Sequence, residues 1–433
     1  MQNISGLLNL DKVTEKIFGE IITQDMKTSM DPSQFGNQRK TSIQHYLVKM
    51  LHRILTVLDG KNGSSFAVIA SLIDWKEAFP RQCPKLGIEA FLKMGVRPSI
   101  IPMLVIFFQD RKMQVKWHGK LSEVKQLNGS GPQGSSIGLL EYLAQSNDNA
   151  NIVGQEDRFK FLDDLSILEA VNLLSVGISS YNIKQHVASD IPVGNGFIES
   201  SNLNTQSYID SICQWTTEKR MKLNFKKSNI MIFNPSRKYN FTTRIKMDDN
   251  ILPVINKTKL LGTIITDDLK WNDNVELLTK RANQRLQLLR KCSEYTNSID
   301  DLKTIYISYI RSILEQSSVV WGSSITEENK LDLERVQKNS CRIILGEKYV
   351  DYEHALKELF LDTLEERRKQ IAIRFAENCK VNEKTQKLFP LRKKIHKFKT
   401  RKQERFEILK TKTKRLQIST IPYLQRLLNE KYV

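Results

Sequence analysis

Two adjacent aspartates interrupt a segment that otherwise has the pattern of a β-strand. The segment is FKFLDDLSIL, residues 159–168, and the pair is Asp163 and Asp164. Asp is depleted from strands because its short side chain competes for backbone hydrogen bonds, and two adjacent carboxylates repel each other. The pattern predicts a hairpin with arms 159–162 and 165–168 and both aspartates in its tight turn. Turn chemistry alone is a sufficient explanation, since turns tolerate Asp well.

A third carboxylate is predicted to lie at the same end of the sheet. FAVIASLID, residues 66–74, has the composition of a buried strand that ends at Asp74. If the two strands are neighbours, Asp74 lies beside Asp163. Three clustered carboxylates stay ionised together only when hard cations neutralise them. The cluster therefore suits Mg²⁺, and two such ions would clamp the attacking and leaving oxygens of a phosphoryl transfer.

The charge balance indicates the class of partner. The 433 residues include 67 Lys and Arg against 48 Asp and Glu, a net charge of +19. Such an excess on a chain of ordinary globular composition favours a nucleic acid, with a merely basic protein as the alternative. Residues 391–433 carry 14 Lys and Arg against three Glu. This basic tail is interpreted as a phosphate-binding extension, and a solvated helical face is the other interpretation.

Cysteine and apolar patterns predict the compartment. The five scattered cysteines form no C-x-x-C pair, which argues against a zinc ribbon or a disulfide framework and favours a reducing, intracellular location. Nucleus and cytoplasm both remain open. The longest apolar run, residues 100–108, is too short to cross a bilayer, and the N-terminal residues lack the layout of a signal peptide. We therefore expect no membrane partner.

A glycine-rich segment, NGSGPQGSSIG at 128–138, contains a literal G-x-G-x-x-G. A dinucleotide site is disfavoured because the preceding residues look like a polar ribbon rather than a buried strand, and Pro132 interrupts the turn. No G-K-[ST] follows, which excludes a P-loop. The segment instead predicts close backbone approach to a flat ligand at Gly134, with the Gln133 amide offering donors and acceptors.

Five segments occur in the order of the A to E motifs of reverse transcriptases. They are SLIDWKEAFPR, GPQGSSIGLL, FLDDLSIL, MKLNFKKSNIMIF and LLGTIITDDLKW. In this form they resemble the enzymes of non-LTR (LINE-like) retrotransposons, and the resemblance spans roughly residues 4 to 380. IYISYIRSILEQSSVVWG and LERVQKNSCRIILG resemble the thumb and following helices of such proteins.

The resemblance implies an α/β (α+β) right-hand polymerase with an antiparallel palm sheet, helical fingers and a helical thumb. The implied division is 1–60 partial fingers, 61–250 palm with a fingers insertion near 85–125, 251–390 thumb and following helices, and 391–433 basic tail. The start resembles the family's "RPIS" region, with Asn3 in place of its arginine, so an N-terminally truncated copy is expected. A nuclease domain and a C-terminal Cys/His knuckle are also missing from the pattern.

The resemblance also assigns the metal centre. Asp74 and Asp163 would hold two Mg²⁺ ions (Mn²⁺ is the other possibility), and Asp164 would assist less directly. Phe79, five positions after Asp74, corresponds to the steric gate against ribose, which this spacing favours over the alternative of an ordinary core aromatic. Lys227 matches a candidate proton donor to pyrophosphate, although the neighbouring Lys226 and an ordinary exposed lysine remain open alternatives.

Further positions correspond to substrate contacts. Gln133 and Gly134 match the motif near the incoming nucleotide and template. Arg39 and Lys40 follow Gln34, Phe35 and Gly36 in a segment that resembles the fingers element lying against the template. The implied partners are an RNA template, a DNA primer and deoxynucleoside triphosphates.

The implied function is RNA-directed DNA polymerisation for a non-LTR retrotransposon. The alternative is a catalytically inactive, nucleic-acid-binding remnant of the same element. A group II intron maturase, a telomerase-like enzyme and an unrelated metal-dependent hydrolase are the other candidates. The LEQSSVVWG and LERVQKNSCRIILG segments favour the retrotransposon by resemblance.

Overall fold

The computed structural model describes residues 9–60, 66–126, 134–173, 196–234, 241–392 and 406–432. Its helices are α1 Asn9–Met26, α2 Ile43–Asp59, α3 Pro84–Lys93, α4 Ile101–Phe108, α5 Ser136–Gln145, α6 Asn204–Lys219, α7 Asn272–Tyr295, α8 Ile299–Ile305, α9 Ser312–Leu314, α10 Ser318–Trp321, α11 Glu327–Leu345, α12 Tyr352–Glu358, α13 Leu364–Val381, α14 Lys414–Gln417 and α15 Thr420–Tyr432. A π-helical stretch, Tyr306–Arg311, joins α8 to α9.

The strands fall into one main sheet and several short pairs. They are β1 Phe66–Ile73, β2 Lys112–Met113, β3 Lys116–Trp117, β4 Lys120–Leu121, β5 Lys125–Gln126, β6 Arg158–Phe161, β7 Asp164–Asn172, β8 Gly196–Ile198, β9 Asn229–Phe233, β10 Phe241–Thr243, β11 Lys246–Met247, β12 Asn250–Ile251, β13 Val254–Ile255, β14 Lys257–Leu260 and β15 Thr263–Thr266. The main sheet has the order β13-β9-β1-β7-β6.

The central strand β1 is antiparallel to both of its neighbours, β7 and β9. Its apolar run suits this position because both faces of the strand are covered. Ala67 and Ile69 face a core that includes α6, whereas Val68 and Ala70 face the core that includes α2 and the C-terminal helices. The pairing of β13 with β9 is parallel, so the predicted antiparallel palm sheet holds for the strands around the site.

The hairpin β6–β7 differs from the sequence prediction by one residue. Phe161 pairs with Asp164, so the turn consists of Leu162 and Asp163, and Asp164 already belongs to the strand. Leu162 has φ 57°, a left-handed conformation that a bulky residue rarely adopts. The alternating pattern did not predict this shift because the turn is stabilised from elsewhere in the chain.

That support comes from the loop between α1 and α2. Gln34 accepts hydrogen bonds from the backbone N–H groups of Gly36 and Leu162, at 2.8 and 3.0 Å. The Phe35 N–H donates to the Lys160 carbonyl oxygen. Gln34 and Phe35 are 3% and 1% exposed, so their side chains support the hairpin and do not face a template.

The same loop is held by ion pairs and hydrogen bonds from two other parts of the chain. Asp31 forms buried ion pairs with Arg158 and Lys160, at 3.0 and 2.8 Å. From the far end of the chain, the Lys384 ammonium donates to the Gln34 carbonyl oxygen at 2.6 Å. The Asn382 amide donates to the carbonyl oxygen of Lys40 at 2.7 Å. The loop therefore joins the hairpin to the segment after α13.

The second half of the described chain is helical, as the resemblance to a helical thumb and following helices implied. Its helices share one core with α2, and α15 adds Leu424 and Leu428 to that core. Residues 406–432 are thus packed into the helical part because α15 has an apolar face, although the sequence suggested a separate basic tail. Residues 393–405, which hold much of the predicted tail, lie outside the described residues. No helix within the described ranges is long and apolar enough to cross a membrane.

Gly36 provides a test of the contact between loop and hairpin. A Cβ at this position would lie 2.6 Å from the Leu162 backbone nitrogen, too close for any side-chain movement to relieve. We expect Gly36→Ala to lower the free energy of unfolding by about 1–3 kcal/mol, measured as a lower urea midpoint. Gly154→Ala is the matched control, since a Cβ there meets nothing within 4 Å. Equal midpoints for the two variants would contradict the described contact.

Candidate active site

The pairing of β1 with β7 brings the predicted carboxylates together. Ile73 is opposite Leu165, and in antiparallel strands such partners have Cα atoms roughly 4.5–5.5 Å apart. Asp74 follows Ile73 directly at the end of β1, and Asp164 precedes Leu165 directly at the start of β7. Asp163 follows in the turn at the same edge of the sheet. A separation of 89 positions in the sequence, from Asp74 to Asp163, is therefore bridged by one strand pair.

The pKa values of the hairpin aspartates are raised by partial burial and by the nearby carboxylates. Partial desolvation raises the pKa of Asp163 above its usual 3.8, and the charge of Asp74 raises it further, although the side chain lies at the exposed hairpin tip. Desolvation also raises the pKa of Asp164 to about 7, with contributions from the charges of Asp163 and Asp74. Both shifts have the sign expected of like charges held together in a partly desolvated site.

Asp74 is positioned by the segment before β9. The Asn224 side-chain amide donates to an Asp74 carboxylate oxygen at 2.8 Å, and the Asp74 backbone N–H donates to the Ser228 hydroxyl at 3.0 Å. The Asn224 N–H also donates to the Asp74 carbonyl oxygen. A bridge between Trp75 and Leu223 continues the contact. The chain around 222–228 thus covers the end of β1 and fixes the Asp74 carboxylate.

Lys227 lies in this covering segment. Its side chain is exposed, and its positive charge lowers the pKa of Asp163, opposing the effect of desolvation. Of the two lysines that the sequence left open, Lys227 is the one whose charge acts on the hairpin. This favours Lys227 over Lys226 for a role at the site.

Phe79 packs on the helix that follows the glycine-rich segment. Its ring lies 5.3 Å from the ring of Tyr142, with an interplanar angle of 32°. Tyr142 is 1% exposed. Burial raises its pKa well above 10.0, and the charges of Asp163, Asp164 and Asp74 contribute. Phe79 and Tyr142 together form an aromatic wall beside the carboxylates.

Two further predicted residues, Gln133 and Gly134, belong to the glycine-rich segment. Gly134 has φ 97°, a conformation that favours glycine, and it precedes the Ser135 cap of α5. Glu15 accepts hydrogen bonds from the Ser135 hydroxyl and the Ser136 N–H, both at 2.8 Å. Gln133 lies outside the described residues.

Arg39 and Lys40 are exposed on the loop whose other end clamps the hairpin. This exposure leaves both cations accessible to a charged partner. The buried residues of the same loop, Gln34 and Phe35, contact the β6–β7 hairpin.

Carboxylate oxygens are suitable ligands for a hard divalent ion. The described side chains, however, do not form a complete coordination sphere. Within the described ranges, no group of three or more Asp, Glu, His or Cys side chains is close enough to hold a metal. The predicted clustering of all three carboxylates is therefore incomplete, and one Asp74 oxygen is bonded to Asn224. Mg²⁺ commonly takes only one or two protein carboxylates and shares its other positions with water and phosphate. The raised pKa values of Asp163 and Asp164 indicate a site that a cation would stabilise.

Sequence reasoning did not find Asn224, Ser228 or Tyr142, and it gave Gln34 a different role. These residues act through contacts distant in sequence, which strand periodicity does not report. A polar residue within the apolar MKLNF segment was the available signal for Asn224.

At one edge of the main sheet, the ends of two antiparallel strands thus bear carboxylates, which is the arrangement that the motif order predicted. No protein-family model matches the chain. Over 354 residues the chain is 22% identical to the probable RNA-directed DNA polymerase from transposon X-element of Drosophila melanogaster. Over 356 residues it is 25% identical to the RNA-directed DNA polymerase from mobile element jockey of Drosophila funebris. These relatives confirm the resemblance to reverse transcriptases of LINE-like elements.

Each of these alignments covers 79% of this chain and 35% of the relative, so the chain spans about a third of their length. Among solved structures, the chain is similar to telomerase from Candida albicans with a TWJ fragment of telomeric RNA, and to apo telomerase from Candida tropicalis. The TM-scores are 0.39 and 0.41, and the identities are 12% and 13%. The alignments cover 88% and 84% of this chain and 58% and 55% of those chains.

The raised pKa of Asp164 predicts how stability depends on pH in metal-free protein. The folded carboxyl has a pKa of about 7 against 3.8 ordinarily, so folding favours its protonated form. Stability from this group is present below pH 4 and is lost as the pH rises towards 7 and above. In EDTA, the urea midpoint of Asp164→Asn relative to the unsubstituted protein should therefore increase between pH 5 and pH 8. Asp249→Asn, in an exposed turn, is the control, and a midpoint difference that is constant with pH would contradict the shift.

Proposed function

We propose that the chain is the polymerase part of a LINE-like reverse transcriptase, which extends a DNA primer on an RNA template. The observation that carries this proposal is the strand register, whose last pair, Ile73 and Leu165, directly adjoins Asp74 and Asp164, with Asp163 in the turn. The relatives' names, RNA-directed DNA polymerases, support the same reaction. Residues 1–60 would belong to the fingers, 61–250 to the palm with an insertion near 85–125, and 251–390 to the thumb, against whose core residues 406–432 pack.

Asp74 and Asp163 would hold two Mg²⁺ ions, with Asp164 assisting. When bound, the ions would supply charge neutralisation at the reacting phosphate, which is the main requirement of phosphoryl transfer. The chain's own contribution is positioning. Asn224 orients the Asp74 carboxylate, and the Gln34 side chain fixes the turn that bears Asp163. These contacts keep the acidic groups at one edge of a rigid sheet before any substrate arrives.

The proposed step forms one P–O bond and breaks another. The primer 3′-oxygen attacks the α-phosphate of a deoxynucleoside triphosphate and loses its proton to solvent water, and the bond from the α-phosphorus to pyrophosphate breaks. Lys227, whose charge reaches Asp163, is the proposed donor of a proton to the departing pyrophosphate. Its exposed ammonium can approach a substrate phosphate, since its side chain is not packed against the core.

Substrate selection is assigned to the surrounding elements. Phe79, braced by Tyr142, would exclude the ribose 2′-hydroxyl from the nucleotide site. Gln133 and Gly134 would contact the incoming nucleotide and its template base. Arg39 and Lys40 would bind template phosphates, because both cations are exposed on the loop that supports the hairpin.

The first test is primer extension with deoxynucleotides and Mg²⁺ on an RNA template. We expect incorporation by the unsubstituted chain and a loss of roughly a thousandfold or more for Asp163→Ala, since this removes electrostatic stabilisation of the transition state. Asp249→Ala, at an exposed aspartate in the turn between β11 and β12, is the matched control and should extend normally.

The outcomes separate the proposed enzyme from the second candidate, a non-catalytic nucleic-acid-binding remnant. Incorporation that survives Asp163→Ala would defeat the metal assignment. Absence of incorporation in every form, with RNA binding retained, would favour the remnant. The observation that favours this second candidate is that, among the described residues, Asp74, Asp163 and Asp164 do not form a group close enough to hold a metal ion.

The second test concerns the sugar. Phe79→Val shortens the aromatic wall, so we expect the ratio of ribonucleotide to deoxynucleotide incorporation to rise by roughly 10- to 200-fold. The ratio is measured from kcat/KM for matched nucleotides on one template. Phe360→Val is the control, because Phe360 is 88% exposed between Glu358 and Asp362 and is not part of the Phe79–Tyr142 wall. An unchanged ratio in Phe79→Val would remove Phe79 from the nucleotide site.

A further inference from the structure

The insertion between α4 and the glycine-rich segment ends in a narrow ribbon. Strands β2 and β5 form its base, and β3 and β4 form its tip. His118 and Gly119 make the turn with φ values of 45° and 80°, the paired positive values that a two-residue hairpin turn favours. Trp117 is opposite Lys120, and these two side chains therefore share one face of the ribbon.

The ribbon exposes large apolar side chains that no described element covers. Trp117 is 67% exposed, Leu121 62%, Val124 55% and Val115 51%. Lys116 is opposite Leu121, so Leu121 lies on the face of the ribbon that Trp117 and Lys120 do not occupy. An exposed indole beside a lysine on one face is the feature that indicates a partner.

The charge of the ribbon identifies the partner's chemistry. Residues 111–126 contain five Lys and Arg and one acidic residue, Glu123. Lys112, Lys116 and Lys120 are exposed beside the apolar side chains. The cores of protein–protein interfaces are depleted of lysine, so a protein partner fits poorly. Cations next to an exposed indole match phosphates next to a base face, which is how single-stranded nucleic acid is bound.

We propose that this ribbon is a docking surface for unpaired template RNA, with a base stacked on Trp117 and a phosphate near Lys120 on the same face. A duplex keeps its base faces within its own stack, so the indole favours an unpaired strand. The choice of template RNA rests on the proposed function, in which that strand is unpaired ahead of the primer. Only residues 127–134 separate Gln126 from Ser135 at the cap of α5, a span of at most about 30 Å.

Tryptophan fluorescence tests the proposal directly. The other four tryptophans, at positions 75, 215, 271 and 321, are at most 9% exposed, so quenching by a ligand reports on Trp117. The probes are a 12-nucleotide oligouridylate, an RNA duplex of equal length and the matching single-stranded DNA, without primer or nucleotides. We expect saturable quenching by the oligouridylate, little by the duplex, and no tighter binding of the DNA.

Substitutions give the quantitative test, with affinity measured by anisotropy of labelled oligouridylate. Trp117→Ala should weaken binding roughly 5- to 150-fold, the range for loss of one base–aromatic stack. Trp117→Phe should restore most of the affinity because it keeps an aromatic face. Phe360→Ala, an 88% exposed aromatic between Glu358 and Asp362, is the matched control and should bind normally.

Several results would overturn the assignment. They are unchanged affinity in Trp117→Ala, equal quenching by duplex, tighter binding of the DNA oligonucleotide, and self-association in sedimentation that Trp117→Ala abolishes. The binding assay is independent of catalysis. Normal quenching in a chain that extends no primer would reject the proposed reaction and keep RNA docking, whereas the reverse pattern would reject the docking surface alone.

Discussion

The pairing of two strands holds like charges close together, and the rest of the site follows from this constraint. β1 and β7 are paired along eight positions, from Phe66 opposite Asn172 to Ile73 opposite Leu165. Cores on both faces of the sheet bury the apolar side chains of these strands. The hydrophobic stabilisation of the sheet thus offsets the repulsion between Asp74 and Asp164 where the pairing ends. A carboxylate pair on a flexible loop would instead move apart.

The strained turn is maintained by contacts from outside the hairpin. Leu162 adopts a left-handed conformation that costs free energy, and Gln34 offsets this cost by accepting a hydrogen bond from its N–H. Asp31 then ties both Arg158 and Lys160 of the preceding strand to the same loop. The acidic turn is therefore positioned by the N-terminal loop as much as by its own strands.

The sequence predicted what depends on local pattern and motif order. The buried strand ending at Asp74, the hairpin, the exposed ribbon and the helical second half were all predicted, and the relatives confirm the resemblance. The turn was misplaced by one residue because its conformation depends on Gln34, 128 positions away. Asn224 was missed for the same reason, since its partner, Asp74, lies far back in the sequence. Residues 406–432 looked basic in total, but the apolar face of α15 packs them into the core.

The hydrogen bonds from Lys384 and Asn382 to the loop between α1 and α2 affect how the chain is made. They join positions about 350 residues apart, at the Gln34 and Lys40 carbonyl oxygens. During synthesis the N-terminal half leaves the ribosome first and can begin to fold before its C-terminal partners exist. The loop beneath the acidic turn is fully braced only after Lys384 has emerged. The support beneath the acidic turn is therefore complete only after the segment that holds Asn382 and Lys384 has been synthesised.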